Sequence, residues 1–170
     1  YLSGNKFASK IALVSSIAAF GATLLALNAF QAGDDLDVNF PWISQLNINF
    51  ALHVDGLSLV MLLLTTGLLP LIILSGFITK FENSKSIYAL MLFMGFAMAG
   101  TFLASDGFLY YIFWEIALIP IYFIALNWGN GDLEERKKAI LKFFIYTFAG
   151  SLFMLLAFIY LYTKGGSFDI

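Results

Sequence analysis

Five apolar runs dominate the 170-residue chain. Each is about as long as the roughly 20 residues an α-helix needs to cross the ~30 Å hydrocarbon core of a bilayer. They occupy residues 11–32, 57–78, 87–104, 108–128 and 139–163. No water in the bilayer core satisfies backbone N–H and C=O groups, so each run must close its hydrogen bonds internally and is read as a transmembrane helix. The fold class that follows is all-α: a polytopic membrane protein in which five transmembrane helices form part of a bundle. Residues 1–170 make one membrane segment. Composition agrees, with 61% hydrophobic and only 12% charged residues, too little polar surface to cover a soluble domain. The chain opens YLSGNKFASK, without methionine, and stops in a loop after a hydrophobic helix. It is therefore read as a segment of a longer protein.

The connections differ in character. Residues 33–54 carry Asp34, Asp35 and Asp37 and the alternating stretch WISQLNINFALHV, which points to a folded loop with a short strand or hairpin. Ser105, Asp106 and Gly107 make a tight turn, so the third and fourth helices are antiparallel neighbours. Lys6, Lys10, Lys80, Lys85, Arg136, Lys137 and Lys138 fall on one side of the five-helix alternation, and the other side has Lys164 alone. Cation-rich loops stay cytoplasmic, so the N-terminus is expected in the cytoplasm and the 33–54 loop outside. Gly95 with Ala99, Gly100 with Ala104, and the patch Ala149, Gly150, Ser151 read as helix-packing surfaces, because small residues let helices approach closely in lipid.

The chain has no cysteine, which excludes thiolate-bound iron–sulfur or zinc sites and disulfides within it. No metal or cofactor site is read in it. A net charge of −2 without a basic run gives no reason to expect nucleic acid as a partner. Lipid and other membrane proteins are the expected partners.

The polar residues inside the apolar runs carry the functional information. Glu115 lies about seven residues into the fourth run. An ionisable group at such depth costs about 2.5–3.5 kcal/mol to insert, and usually marks a proton or ion path; the alternative is a protonated carboxyl that merely bonds a neighbouring helix. Burial disfavours the charged carboxyl and a nearby cation favours it, so a site governed by both changes protonation when the cation moves. Pro120 leaves the carbonyl of Ile116, beside Glu115, without its helical donor, which makes it a possible relay or helix break as well as an ordinary kink. Lys142 is the second intramembrane ionisable group, near the cytoplasmic end of the fifth run. It either snorkels or, with Tyr146 one turn on, lines a hydrated path. Glu115 and Lys142 differ in depth by on the order of 15 Å, so water and hydroxyls would have to join them, and the immediate partner of Glu115 is expected outside this sequence. Asp55, three residues before Ser58, reads as a helix N-cap. His53 is left unassigned, and Glu134, Glu135, Lys137 and Lys138 read as a solvated helix start.

The runs VDGLSLVMLLLT, FLASDGFLYYIFWEIALIPIYFIALNWG and KFFIYTFAGSLFMLLA resemble the antiporter-like subunit M family of proton-pumping NADH-quinone oxidoreductase, respiratory complex I. The likeness extends from about Trp42 to Lys164. It implies an antiporter-like helix bundle, a proton channel, and a place in the membrane arm of a bacterial inner-membrane complex among other membrane-arm subunits. NADH, FMN, iron–sulfur clusters and quinone would be bound by those other subunits, with no redox centre and no catalytic residue here. Glu115 aligns with the family's membrane glutamate, whose lysine partner sits on a following helix, and Lys142 with a family lysine. Subunits of multisubunit Mrp-type cation/proton antiporters share the glutamate helix and remain an alternative, as does a purely structural membrane-arm subunit.

Overall fold

The computed structural model describes residues 2–78, 81 and 83–168, with side chains from residue 7 onward. Its elements are α1 (Leu2–Ala32), β1 (Val38–Ile43), β2 (Ile48–Leu52), α2 (Gly56–Ile78), α3 (Ser84–Leu103), α4 (Gly107–Trp128) and α5 (Leu133–Gly165). Among the described residues, five helices are long and apolar enough to cross a membrane. Lys80, placed by sequence in the charged turn after α2, lies outside the described residues.

The helices extend beyond the apolar runs where their ends are polar. α5 begins at Leu133 rather than at residue 139, because Asp132 caps it by accepting from the Glu134 N–H at 3.1 Å. Glu134 and Glu135 also stand in its first turn, where negative charge opposes the helix dipole. α1 likewise begins at Leu2, before its apolar run at residue 11. A span is recognised by its apolar length, but the helix continues into water as long as its end groups are satisfied. α5 stops at Gly166, whose φ of 78° ends the helix in the left-handed region with its N–H on the Tyr162 carbonyl at 2.7 Å, a conformation that glycine adopts without steric cost.

α1, α2 and α3 pack mutually; α4 lies on α3, and α5 packs chiefly on α4. The core of the first three helices is Ala12, Leu69, Ile73, Ile87 and Tyr88, closed by Met91, Leu92 and Trp128. Lipid offers helices no hydrophobic incentive to associate, so close packing and hydrogen bonds must do so. Accordingly α1 buries Ser9, Ser16 and Thr23, spaced seven residues apart and thus on one face, and the hydroxyls of Thr23 and Thr66 meet at 3.2 Å across α1 and α2.

The small residues of α3 are used on two sides. A Cβ on Gly95 would stand 2.9 Å from the Leu69 side chain of α2, and the space where Gly100 would carry one is filled by the Phe113 ring of α4. The α5 patch divides instead: Ser151 is buried, whereas Ala149 and Gly150 are exposed and nothing lies near the missing Cβ of Gly150.

At one end of the bundle β1 and β2 form an antiparallel hairpin, with Phe40 opposite Phe50 and a bulge between Pro41 and Ile43. The hairpin is tied down rather than loose. The His53 N–H donates to the Leu103 carbonyl at 2.8 Å and the Ser105 N–H to the Ala51 carbonyl at 3.0 Å. The Asp106 side chain is fully buried and accepts from the N–H groups of Phe108, Leu109 and Asn49 at 2.9, 3.1 and 3.0 Å. One carboxylate thus caps α4 and holds β2 to it.

The Gly100 contact yields a direct test. Gly100→Ala should destabilise the helix pair by roughly 1–3 kcal/mol, the usual cost of overpacking, read as an earlier midpoint in denaturant titration of the detergent-solubilised protein. Gly150→Ala, with open space at its Cβ, should leave that midpoint in place.

Candidate proton-handling site

α4 carries Glu115 away from both of its ends. Counted from Gly107 it is 115 − 107 = 8 residues in, about 12 Å from the hairpin end of the helix at 1.5 Å per residue. Its carboxylate is met by α5: the Ser151 hydroxyl donates to Glu115 Oε1. Ser151 is only 5% exposed. The register that brings them together is set by rings, Tyr110 against Phe158 at 6.1 Å and Tyr122 against Phe144 at 5.7 Å between centroids. These contacts lie on either side of the pair and hold α4 and α5 antiparallel.

Tyr111 completes the cluster. It precedes Glu115 by one helical turn and so shares its face, and its hydroxyl is close enough to interact with both Glu115 and Ser151. Pro120 is fully buried. It supplies no N–H to the Ile116 carbonyl, which leaves an acceptor on the residue following Glu115.

The structure does not bring Lys142 to this cluster. Lys142 lies 151 − 142 = 9 residues from Ser151, about two and a half turns, which places it on the opposite face of α5 and ~13 Å farther along the axis. It is exposed, and Tyr146 on the same stripe is 75% exposed. Sequence reasoning treated Ser151 only as packing and sought the partner of Glu115 outside the chain; a hydroxyl partner is inside it. The signal was available. Folding α5 back along α4 through the short 129–132 connection puts residues near 146–151 at the depth of Glu115, and Ser151 is a hydroxyl in that window.

Outside the membrane-spanning segments, Asp55 caps α2 reciprocally with Ser58. The Ser58 N–H donates to Asp55 Oδ1 at 2.6 Å and the Asp55 N–H to Ser58 Oγ at 2.9 Å. His53, unassigned from sequence, pairs with Asp37: its Nδ1 lies 2.7 Å from Asp37 Oδ2, and the Val54 N–H donates to Asp37 Oδ1 at 3.2 Å. This pair joins the approach to β1 to the exit from β2. Glu134 and Lys137 form an exposed ion pair at 2.8 Å.

Comparison with known proteins points to a family. Residues 104–170, which hold Glu115, Lys142 and Ser151, match the family described as "NADH:quinone oxidoreductase/Mrp antiporter, TM". NADH-quinone oxidoreductase subunit M of Rickettsia typhi is 33% identical over 169 residues, 98% of this chain and 34% of that protein. The chain is a homologue of antiporter-like subunit M. F(420)H(2) dehydrogenase subunit M of Methanosarcina mazei is 36% identical over 89% of the chain and 31% of its own length. NADH-ubiquinone oxidoreductase chain 4 of Arabidopsis thaliana is 40% identical over 76% of the chain and 26% of its own length. The chain thus spans about a third or less of the length of these relatives. The antiporter-like fold extends further, to the Mrp complex from Dietzia sp. DQ12-45-1b (TM-score 0.74, 18% identity, 98% of this chain and 20% of that one) and to the membrane-bound sulfane sulfur reductase, an archaeal respiratory membrane complex (TM-score 0.74, 22% identity, 99% and 27%).

The two aspartates outside the membrane give the hairpin end an acid limit. The hydrogen bond from His53, then that from Val54, holds the Asp37 carboxyl below its ordinary value of 3.8; the bonds from Ser58 do the same for Asp55. A carboxyl whose folded pKa is depressed stabilises the fold above its unfolded pKa, and that stability is lost as pH falls through the folded value. Hydrogen exchange at Val54 and Ser58 should therefore stay protected from neutral pH down to about 4 and open below it. In Asp37→Asn the protection at Val54 should no longer change across that acid window.

Proposed function

We propose that the chain is the glutamate-bearing part of a proton-translocating membrane-arm subunit of NADH-quinone oxidoreductase, coupling quinone reduction to proton pumping. The observation that carries this reading is an ionisable side chain in the middle of α4, held against a hydroxyl of α5, within the segment that matches the family. Glu115 is the group that takes up and releases the proton. Lys142 exchanges with it through water rather than by contact, with the Ile116 carbonyl freed by Pro120 as a station beside it and Tyr146 next to Lys142 on its own stripe. A lysine from another part of the subunit stabilises the charged carboxylate; when it moves away, the carboxylate loses its counter-charge and binds a proton.

The complex as a whole is the enzyme, and NADH, FMN, iron–sulfur clusters and quinone are bound by its other subunits. The partners of this chain are other membrane-arm subunits and lipid. By the distribution of cations the N-terminus is cytoplasmic and the hairpin faces outward, across a bacterial inner membrane. A second reading, a subunit of an Mrp-type cation/proton antiporter, draws on the likeness to the Mrp complex and keeps the same role for Glu115.

Glu115→Gln in the full-length subunit, within the assembled complex in sealed vesicles, should abolish or strongly reduce proton pumping while the complex remains assembled. Normal pumping by that variant would sink the proposal. Pumping that follows quinone reduction favours the oxidoreductase, and cation-driven proton exchange without a redox substrate favours the antiporter.

A further inference from the structure

The Ser151 hydroxyl has one proton and, besides the Tyr111 hydroxyl, two acceptors within reach. Its Oγ contacts Glu115 Oε1 on α4 and lies 2.8 Å from the Phe148 carbonyl oxygen on α5. A serine hydroxyl donates once and accepts through two lone pairs, so it cannot serve both acceptors at once. Ser16 of α1 makes the same backward bond, to Leu13 at 2.8 Å, so that bond is an ordinary resting position for a buried serine. The contact with Glu115 is the additional feature.

The two positions match the two states of a carboxyl. An ionised Glu115 only accepts, and the Ser151 O–H turns to it; the Phe148 carbonyl then keeps the helical bond that residue 152 supplies. A protonated Glu115 donates its own O–H to Ser151 Oγ, and the Ser151 proton turns back to Phe148. The Glu115 oxygen that Ser151 touches, the Ser151 hydroxyl and the Phe148 carbonyl stay paired in either state. The proton balance is simple, because Glu115 gains or loses one proton while Ser151 keeps its own and rotates.

We propose that Ser151 is a positioning residue for Glu115, a rotating hydroxyl that satisfies the carboxyl in both protonation states. This rests on the reading of Glu115 as the proton-handling group. A fixed cation favours only the charged form and a fixed carbonyl only the neutral one, whereas a hydroxyl serves either. The Tyr111 hydroxyl also reaches Glu115 and Ser151, but it stands on the same helix as the glutamate. Tyr111 is the nearest titratable neighbour, and the sequence has no other between it and Tyr122 on α4, between Tyr146 and Tyr160 on α5, or between Tyr88 and Leu103 on α3.

The test uses the full-length subunit in its assembled complex, reconstituted in sealed vesicles. Infrared difference spectroscopy assigns the Glu115 carboxyl bands by their loss in Glu115→Gln. Ser151→Ala should shift both the protonated and the ionised band, and should slow pumping by roughly ten- to a hundredfold, the worth of one hydrogen bond to a charged group. Ser151→Thr, which keeps the hydroxyl, should restore band positions and rate. Bands that stay in place in Ser151→Ala overturn the inference. Shifted bands with unchanged pumping overturn it too, since the hydroxyl would then touch the carboxyl without governing its proton. Normal pumping by Glu115→Gln is a different failure, that of the proton-handling reading itself.

Discussion

A lipid interior accepts no hydrogen bonds and rewards no hydrophobic contact between helices, and the rest of the architecture depends on that constraint. Each polar group inside the bundle has to find its partner in protein. The hydroxyls of Ser16, Thr23, Thr66 and Thr101 therefore bond carbonyls of their own helices. Glu115 is the one carboxylate within the spans of α1 to α4. A carboxylate cannot follow the hydroxyls, because a helix has no N–H to spare in its middle and a charged carboxyl only accepts. It must take a donor from a side chain, and Ser151 of α5 provides one.

The same constraint explains why the hairpin end is so heavily bonded. Four N–H groups are orphaned at each helix start, and the starts of α2 and α4 fall at that end. Asp55 serves the first and Asp106 the second, while β2 pairs with the α3–α4 turn through Leu52 and Ala104. Further stitches come from the end of α5, where the Gly107 N–H meets the Phe168 carbonyl at 2.7 Å and the Asn47 amide meets the Gly166 carbonyl at 3.2 Å. α4 is thus fixed at its hairpin end and packed on both α3 and α5, which makes it a firm scaffold for the glutamate it carries.

Sequence alone makes the five spans legible because apolar length is a property of each run taken singly. The hairpin is readable for the same reason, from local alternation in WISQLNINFALHV. What depends on two elements at once is harder. Asp106 looks like a turn residue in Ser105-Asp106-Gly107, and nothing local says that it also holds Asn49. Ser151 looks like one of three small residues, and only the register of α4 on α5 separates it from exposed Gly150. Hydropathy misses the polar helix start at Leu133, which is capped by Asp132, but the spacing of Glu134, Glu135, Lys137 and Lys138 makes it legible as a solvated helix start.

The placement of the two ionisable residues on α5 and α4 limits how protons can move between them. Lys142 and Ser151 stand on opposite faces of α5, and a backbone whose hydrogen bonds are closed cannot pass a proton through the helix. In the proposed relay, exchange between Glu115 and Lys142 therefore goes around α5, over ~13 Å of depth, by way of water or side chains beside its exposed stripe. A pair so separated gains little from direct attraction. That separation suits a relay in which one group is loaded while the other is empty, and it makes the local partner of Glu115, a hydroxyl able to donate or accept, matter more than the distant cation.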